Sequence, residues 1–186
     1  MKVIYLHHQE NELIKLATEN NRQAQQQIYT HFSPKMLGVC RQYIKDIHQA
    51  EDIMITAFMK VFVNIKNFEN KGSFEGWIRR IMVNECISFI RVQKKIKYVG
   101  DETYFEESFN NIESQFSTDD IQSLIDSLPD GYKTVFNLYA IEGFKHKEIA
   151  SMLEINEGTS KSQLSHARKM LQTQINKLKN YEYGTE

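Results

Sequence analysis

The stretch EGFKHKEIASMLEINEGTSKSQLSHARKML, residues 142–171, predicts a helix-turn-helix. A short helix is marked by apolar residues at helical spacing: Ile149, Ala150 and Leu153. Asn156 is a plausible N-cap for a longer helix that runs from about Glu157 to Leu178. In that longer helix one stripe is apolar (Leu164, Ala167, Leu171), while the opposite stripe is polar and basic.

The polar stripe of the longer helix indicates contact with DNA. Short side chains allow a helix to approach the major groove closely, and Lys, Ser or His can then meet phosphates and base edges. A helical hairpin in a protein-binding module is the alternative. No acidic residue occurs between Gly158 and Leu171, which counts against that alternative.

Two further helical patterns precede this motif and complete a small domain over residues 119–186. The first has an apolar face and stops at Leu128-Pro129, because a residue before proline disfavours helical backbone; its face comprises Ile121, Leu124, Ile125 and Leu128. The second ends near Glu142-Gly143 and carries Val135, Phe136, Leu138 and Tyr139.

Residues 1–97 read as a second helical domain. Apolar patterns predict a first pair of helices (Leu13, Ile14, Leu16, then Ala24, Ile28, Phe32) that is broken at Ser33-Pro34. A helix from Pro34 to about Lys45 and another from about Gln49 to Phe68 follow. ENKGS, residues 69–73, is a loop with Gly72 as its turn residue, and one long helix comes after it.

The long helix carries a row of side chains suited to single-stranded nucleic acid. Helical steps of three, four and seven align Trp77, Arg80, Asn84 and Arg91 between two apolar stripes. Bases stack on flat side chains while cations hold phosphates, so this row fits an unpaired strand. Trp77 as a core anchor beside solvated arginines is the alternative, and on this row alone the two interpretations are equally good.

The charge distribution separates the two domains. The net charge is −1, yet the segment from Lys71 to Lys97 contains seven basic residues and only two acidic ones, Glu75 and Glu85. From Tyr98 to Asp120 there are seven acidic residues and no basic one. The basic segment indicates a nucleic-acid partner, and residues 98–118 read as an acidic flexible linker. The fold class predicted is therefore all-α: two small helical domains joined by this linker.

Several other classes of protein are not indicated. No apolar run reaches membrane-spanning length, and the start MKVIYLHHQENE does not resemble a signal peptide. The cysteines Cys40 and Cys86 lack metal-site spacing and are expected to be buried, reduced thiols in a cytoplasmic protein. His7-His8 and the scattered acids form no metal or acid/base set, so we expect no metal, no cofactor and no catalysis.

Taken in order, these parts resemble the extracytoplasmic-function (ECF) group of bacterial RNA polymerase sigma factors, from about Leu13 to Leu178. Residues 49–62, QAEDIMITAFMKVF, resemble the family helix that docks on the polymerase clamp. Residues 68–91, FENKGSFEGWIRRIMVNECISFIR, resemble the segment that melts and reads the −10 promoter box. Residues 142–171 resemble the helix-turn-helix that reads the −35 box.

The resemblance implies roles for individual residues. The base-facing positions of the −35 helix would be Lys161, Ser162, Ser165 and His166, with Thr159, Gln163 and Arg168 placed for phosphates and Lys169 on the same polar face. The loop Asn70, Lys71, Gly72 and Ser73 matches the one that holds a flipped base, and Trp77, Arg80 and Asn84 match −10 helix positions, with Arg91 in the same row. Asp52 matches the acidic clamp-helix residue, and the contact would include Ile55, Thr56 and Met59.

Three departures from the family pattern stand out. The family usually has Gln-Glu at Ile55-Thr56, so an apolar contact with the clamp or an inhibitor would replace a polar one. Ser160 stands where the family favours Val on the core side, which predicts a small packing loss. His166 often corresponds to Arg, which predicts a weaker or pH-dependent base contact.

The leading hypothesis is a sigma factor that binds core RNA polymerase, directs it to promoters and helps open the DNA. Its partners would be core polymerase, the double-stranded −35 box, the single-stranded −10 box and, as the family implies, an anti-sigma factor, with no membrane insertion. A stand-alone DNA-binding regulator is the second hypothesis. A recombinase-like enzyme with a helical targeting domain is the third, and no residue constellation supports it.

Overall fold

A computed structural model describes the backbone of residues 2–97 and 118–182, and the side chains of residues 10–93 and 122–176. Every regular element in these ranges is helical. The chain divides into an N-terminal unit, Met1–Val92, and a C-terminal unit, Gln93–Glu186. This confirms the predicted all-α class. The predicted acidic linker lies outside the described residues except for Thr118.

The N-terminal unit is built from four α-helices in which α2 packs against both α1 and α3. The helices are α1 (Lys2–Thr18), α2 (Arg22–Arg41), α3 (Ile47–Asn64) and α4 (Phe74–Lys97), with a 3₁₀ turn at Ile65–Asn67 after α3. Largest among the fully buried side chains are Phe58, Phe74, Met36, Ile65, Ile78 and Met82. These residues come from α2, α3, α4 and the 3₁₀ turn, so one core joins all of these elements.

Short polar side chains cap the N-terminal ends of three of these helices. The Asn21 side chain accepts a hydrogen bond from the Ala24 N–H (3.1 Å), and Asp46 accepts one from the Gln49 N–H (2.8 Å). Ser73 Oγ accepts from the Gly76 N–H (3.1 Å) at the start of α4. Each cap satisfies a backbone donor that has no partner inside the helix, which fixes where the helix begins.

The predicted break at Ser33-Pro34 is wrong. Helix α2 continues through Pro34, and its buried residues keep helical spacing on both sides: Ala24, Ile28, Phe32, Met36, Val39 and Cys40. An interior proline costs about 3 kcal/mol, whereas burying one side chain such as Phe or Met contributes about 1.5–3 kcal/mol. The core face of α2 therefore outweighs the local preference. The helix also ends at Arg41, earlier than the predicted Lys45.

Helix α4 is fixed to α2 and α3 by aromatic and charged contacts. The Phe32 and Phe74 rings meet edge to face at 5.7 Å. At the protein surface Lys35 pairs with Glu75 (2.5 Å) and Lys60 pairs with Glu85 (2.6 Å). Exposed ion pairs contribute little, so the buried side of α4 supplies most of the attachment.

The two cysteines confirm the expected buried, reduced thiols. Cys40 of α2 and Cys86 of α4 are both free and buried. A hydrogen bond with Cys40, together with burial, raises the pKa of the Cys86 thiol. Cys86 therefore remains protonated and packs as a small apolar residue.

The C-terminal unit contains α5 (Thr118–Asp126), α6 (Asp130–Phe136), α7 (His146–Leu153) and α8 (Glu157–Glu182). Helix α8 packs against α5, α6 and α7. One core cluster joins α5 to α8 through Ile125, Leu128, Ala167 and Leu171. The α5 region and α6 therefore cover part of the apolar stripe of α8.

The last turn of α6 widens into a π-helical turn, Asn137–Ile141. The Glu142 N–H donates a hydrogen bond to the Asn137 carbonyl (3.0 Å), and the Phe144 N–H donates one to the Leu138 carbonyl (2.9 Å). Gly143 has φ +77°, which glycine adopts without strain. The predicted end near Glu142-Gly143 is confirmed, and the π turn was not predicted.

An ion pair between a buried lysine and a partly exposed aspartate joins α5 to α6. Lys133 is 2% exposed, and its Nζ lies 2.8 Å from Asp126 Oδ1. The sequence does not reveal this pair, because the two residues are separated by a helix end and share no local pattern. Within the described residues, no helix is both long and apolar enough to cross a membrane.

Replacing Pro34 by Ala should raise the free energy of unfolding of the N-terminal unit by about 1–3 kcal/mol. Pro34 is exposed, so Ala leaves no cavity while it restores a backbone donor inside α2. Urea unfolding followed by Trp77 fluorescence reports on this unit alone, because the chain has one tryptophan.

Gln27→Ala, another exposed position of α2, is the control and should change stability by less than about 0.5 kcal/mol. An unchanged or lower stability for Pro34→Ala would contradict the view that this proline opposes its helix.

Candidate nucleic-acid interface

Helix α8 presents the predicted −35 residues on the side away from its core stripe. Leu164, Ala167 and Leu171 are buried. Six of the eight predicted residues are exposed: Lys161, Ser162, Ser165, His166, Arg168 and Lys169. The other two, Thr159 and Gln163, are half-buried. The polar face is thus available to a partner along about three turns of helix.

The turn before α8 has the geometry of a helix-turn-helix. Helix α7 ends at Leu153, and its C-cap residue Glu154 adopts a left-handed conformation with φ +55°. The Ser160 N–H then bonds the Asn156 carbonyl (3.1 Å), so α8 begins where the sequence predicted its cap. Helices α7 and α8 pack against each other.

Ser160 is engaged in a polar contact that the sequence did not reveal. Its side chain is fully buried, and its Oγ lies 3.0 Å from Nδ1 of His146, the first residue of α7. The sequence analysis treated this serine as a small packing loss. The structure adds a hydrogen bond that ties the two helices of the motif together.

Aromatic rings flank both sides of the exposed face of α8. The His166 ring stacks on Tyr132 of α6 at 5.5 Å and 14°. On the other side, the Arg168 guanidinium lies 5.5 Å from the centre of the Tyr139 ring, which itself stacks on His146 at 4.7 Å. These contacts restrict side chains that would otherwise move freely on a helix surface.

A carboxylate lies beside the basic face. Glu157 Oε1 is 2.7 Å from Lys161 Nζ, and both side chains are exposed. The hydrogen bond and charge of Lys161 lower the pKa of the Glu157 carboxyl. This pair was not predicted, because Glu157 lies one residue outside the acid-free stretch. The i,i+4 spacing could have revealed it.

The loop before α4 is exposed and tightly turned. Asn70 and Gly72 both have positive φ values, +55° and +94°, and Lys71 pairs with Glu69 at 2.6 Å. A Cβ at Gly72 would meet no atom within 4 Å, so backbone conformation and not space requires glycine there. Asn70, Lys71, Gly72 and Ser73 all face solvent.

Trp77 is both an aromatic anchor and part of a surface. Its ring lies 5.6 Å from Phe68 and 5.8 Å from Phe74, stacked on the latter at 15°. Phe74 is buried, whereas Trp77 and Phe68 are half-buried. The two alternatives left open for Trp77 therefore describe different sides of one aromatic cluster.

The remainder of the Trp77 row continues along α4. Arg80 and Asn84 are exposed, and Arg91 is half-buried. On the opposite side of the helix Ile78, Met82 and Cys86 are fully buried. Helix α4 thus has one core side and one side on which all four residues of the row have some exposure.

Helix α3 presents an apolar surface to solvent. The predicted polymerase contacts Asp52, Ile55, Thr56 and Met59 are all exposed, with Ile55 at 48% and Met59 at 66%. Val63, one turn further, is 72% exposed. We call these five residues the α3 surface. Val63 was not predicted, although the repeated step of four residues from Ile55 to Met59 to Val63 could have identified it.

No group of three or more potential metal ligands occurs within the described part of the chain. The functional groups that the structure brings together are instead cations, hydroxyls, amides and aromatic rings. Such groups bind phosphates and bases.

Comparisons with known proteins agree with this arrangement. Residues 28–96 match the sigma-70 region 2 family, and residues 118–171 match the sigma-70 region 4 family. RNA polymerase sigma factor SigV of Bacillus subtilis is 32% identical over 135 residues, 73% of this chain and 81% of SigV. ECF RNA polymerase sigma factor SigW of the same organism is 30% identical over 180 residues, 89% of this chain and 96% of SigW.

Two solved structures share the fold. CnrH, in complex with the cytosolic domain of CnrY, has a TM-score of 0.50 at 17% identity and covers 90% of this chain and 97% of its own. The sigma factor RpoE of Bartonella quintana, in complex with the anti-sigma factor NepR, has a TM-score of 0.51 at 22% identity, with coverages of 81% and 96%.

Two helical units, one with a helix-turn-helix and the other with a basic aromatic helix, define a DNA-binding transcription factor. The chain belongs to the ECF group of RNA polymerase sigma factors, a family of transcription initiation factors. It binds core RNA polymerase and directs it to promoters.

Neutralising Glu157 should strengthen promoter binding by the polymerase holoenzyme. In Glu157→Gln, Lys161 loses its carboxylate partner and one negative charge leaves the edge of the basic face. Lys161 is then free to meet a phosphate, so we expect about a 1.5- to 5-fold gain in affinity for promoter DNA, measured by fluorescence anisotropy at fixed salt.

Glu19→Gln removes the same charge from an exposed position between α1 and α2 and serves as the control. Equal gains for both variants, or no gain for Glu157→Gln, would show that the pair does not compete with DNA.

Proposed function

We propose that the two units read two promoter elements and that the α3 surface docks on core polymerase. In this assignment residues 1–97 bind polymerase and the −10 box, residues 98–118 link the domains, and residues 119–186 read the −35 box. The observation that carries the proposal is the exposed, basic face of α8 on a helix-turn-helix. The chain would act without catalysis of its own, in the cytoplasm with the polymerase.

The α8 face would enter the major groove of the −35 box. Its central positions carry hydroxyls and an amine, and Leu164, Ala167 and Leu171 hold the opposite side in the core. Direct readout needs donors and acceptors that reach base edges, which Lys161, Ser162 and Ser165 provide, while the remaining cations meet phosphates. His166, stacked on Tyr132, would meet DNA with its ring orientation already restricted.

The loop Asn70–Ser73 and the Trp77 row would capture the −10 strand. Unstacking a base costs a few kcal/mol, and a pocket that receives the base offsets that cost. Trp77 has a ring already supported by Phe68 and Phe74. Such a ring loses little conformational freedom when a base stacks on it. Arg80, Asn84 and Arg91 would hold the backbone of the separated strand.

The α3 surface would contact the polymerase clamp and would also suit an inhibitor. Ile55, Met59 and Val63 expose apolar area beside the carboxylate of Asp52. Burial of such apolar area by a partner is energetically favourable. We further propose that an anti-sigma factor regulates this chain, in line with the complexes of CnrH and RpoE with their partners.

Asp52→Arg should weaken binding to core polymerase at least about tenfold, because a charge reversal places like charges together at an interface. Binding of labelled protein to purified core enzyme measures the effect. Glu12→Arg, a charge reversal at an exposed position of α1, is the control. Unchanged binding for Asp52→Arg would remove Asp52 from the interface. Tight promoter binding by the chain without polymerase would favour a stand-alone regulator.

Lys161→Ala and Ser165→Ala should each reduce discrimination between a matched −35 box and one with substituted bases by about fivefold or more. Holoenzyme affinity for the two DNAs gives the ratio. Gln172→Ala, exposed on the same helix beyond the predicted set, should leave it unchanged. An equal loss on both DNAs would reassign the residue to phosphate contact.

A further inference from the structure

Four side chains from three helical elements form a continuous set of contacts beside α8. Ser160 Oγ lies 3.0 Å from His146 Nδ1, the His146 ring stacks on Tyr139 at 4.7 Å and 25°, and the Arg168 guanidinium lies 5.5 Å from the Tyr139 ring centre. We call these four residues the Tyr139 cluster. It begins at a fully buried hydroxyl and ends at an exposed cation.

The π turn at the end of α6 places Tyr139 in this cluster. The bond from the Glu142 N–H to the Asn137 carbonyl spans five residues, so this turn holds more residues than a regular α-helical turn. Side chains within such a turn point in directions that a regular helix does not give. Single π turns occur frequently at functional sites, and this one lies next to the helix-turn-helix.

The position of Arg168 on α8 is at the flank of the exposed face. It follows the buried Ala167 and lies four residues after the buried Leu164, whereas Ser162 and Ser165 lie farther from the core stripe. When a recognition helix enters the major groove, its central face meets bases and its flanks meet the sugar-phosphate backbone. The flank position therefore fits a phosphate contact.

We propose that the Tyr139 cluster positions Arg168 for a DNA phosphate at the edge of the −35 box. This inference rests on the proposed function of α8. Tyr139 and His146 are positioning residues in it, and Ser160 anchors them to α8. A guanidinium already held over a ring loses less conformational freedom when it binds a phosphate. The cluster also gives the departure at Ser160 a role that valine could not perform.

The test uses holoenzyme and promoter DNA, with affinity measured over a range of salt concentrations. Arg168→Ala should lower the salt slope, the change of log K with log salt, by about 1, as expected for one lost phosphate contact. Tyr139→Leu should weaken binding about three- to tenfold and shift the slope in the same direction, because a leucine cannot attract the guanidinium. Tyr139→Phe keeps the ring, so its affinity and salt slope should equal those of the unsubstituted protein.

A double variant separates positioning from simple stability. If Tyr139 acts through Arg168, Tyr139→Leu should have no further effect in the Arg168→Ala background. Ser160→Ala should reproduce part of the Tyr139→Leu effect. Additive losses in the double variant, or weaker binding with an unchanged salt slope, would overturn the proposal and leave Tyr139 a structural residue.

The same measurements distinguish failure of this inference from failure of the proposed function. If Arg168→Ala leaves the salt slope unchanged while Lys161→Ala or Ser165→Ala alters −35 discrimination, the cluster proposal fails and α8 remains the reading helix. If none of these variants changes promoter binding, the assignment of α8 to the −35 box fails.

Discussion

Burial of one apolar stripe on α8 is the interaction on which its exposed polar face depends. Ala167 and Leu171 pack on Ile125 and Leu128 of the α5 region, which leaves the helix no freedom to rotate about its axis. The side opposite that stripe must then face outward over the described part of the helix. The same constraint operates on α3 and α4, where Phe58 and Ile78 are fully buried. Each surface for a partner is therefore oriented by the core behind it.

Much of this could be predicted from the sequence, because helical spacing is local. Leu164, Ala167 and Leu171 repeat at three and four residues, so their shared face follows from helix geometry alone. Pro34 shows where that reasoning fails. Local preference favours a break there, but burial of Phe32 and Met36 on either side keeps α2 continuous. The deciding contacts come from other helices, and no window of sequence contains them.

The contacts that could not be predicted from the sequence share one property: the two residues are distant in the chain or lie on either side of a turn. His146 and Ser160 belong to different helices, and Lys133 reaches Asp126 across a helix end. Trp77 illustrates the ambiguity that results. Its sequence position allowed either a core anchor or a stacking surface, and only the structure shows that Trp77 packs against Phe68 and Phe74 while it stays partly exposed.

The departures from the family pattern acquire physical meaning in this context. At Ile55 an apolar side chain replaces a polar one. Together with Met59 and Val63 it forms an exposed apolar surface, and covering that surface with a partner is energetically favourable. At Ser160 a polar side chain replaces an apolar one, and its hydroxyl meets His146 inside the motif. A buried hydroxyl without a partner would cost about 1–3 kcal/mol, so Ser160 depends on His146. Exchange of His146 alone would leave the fully buried Ser160 hydroxyl without this partner between α7 and α8.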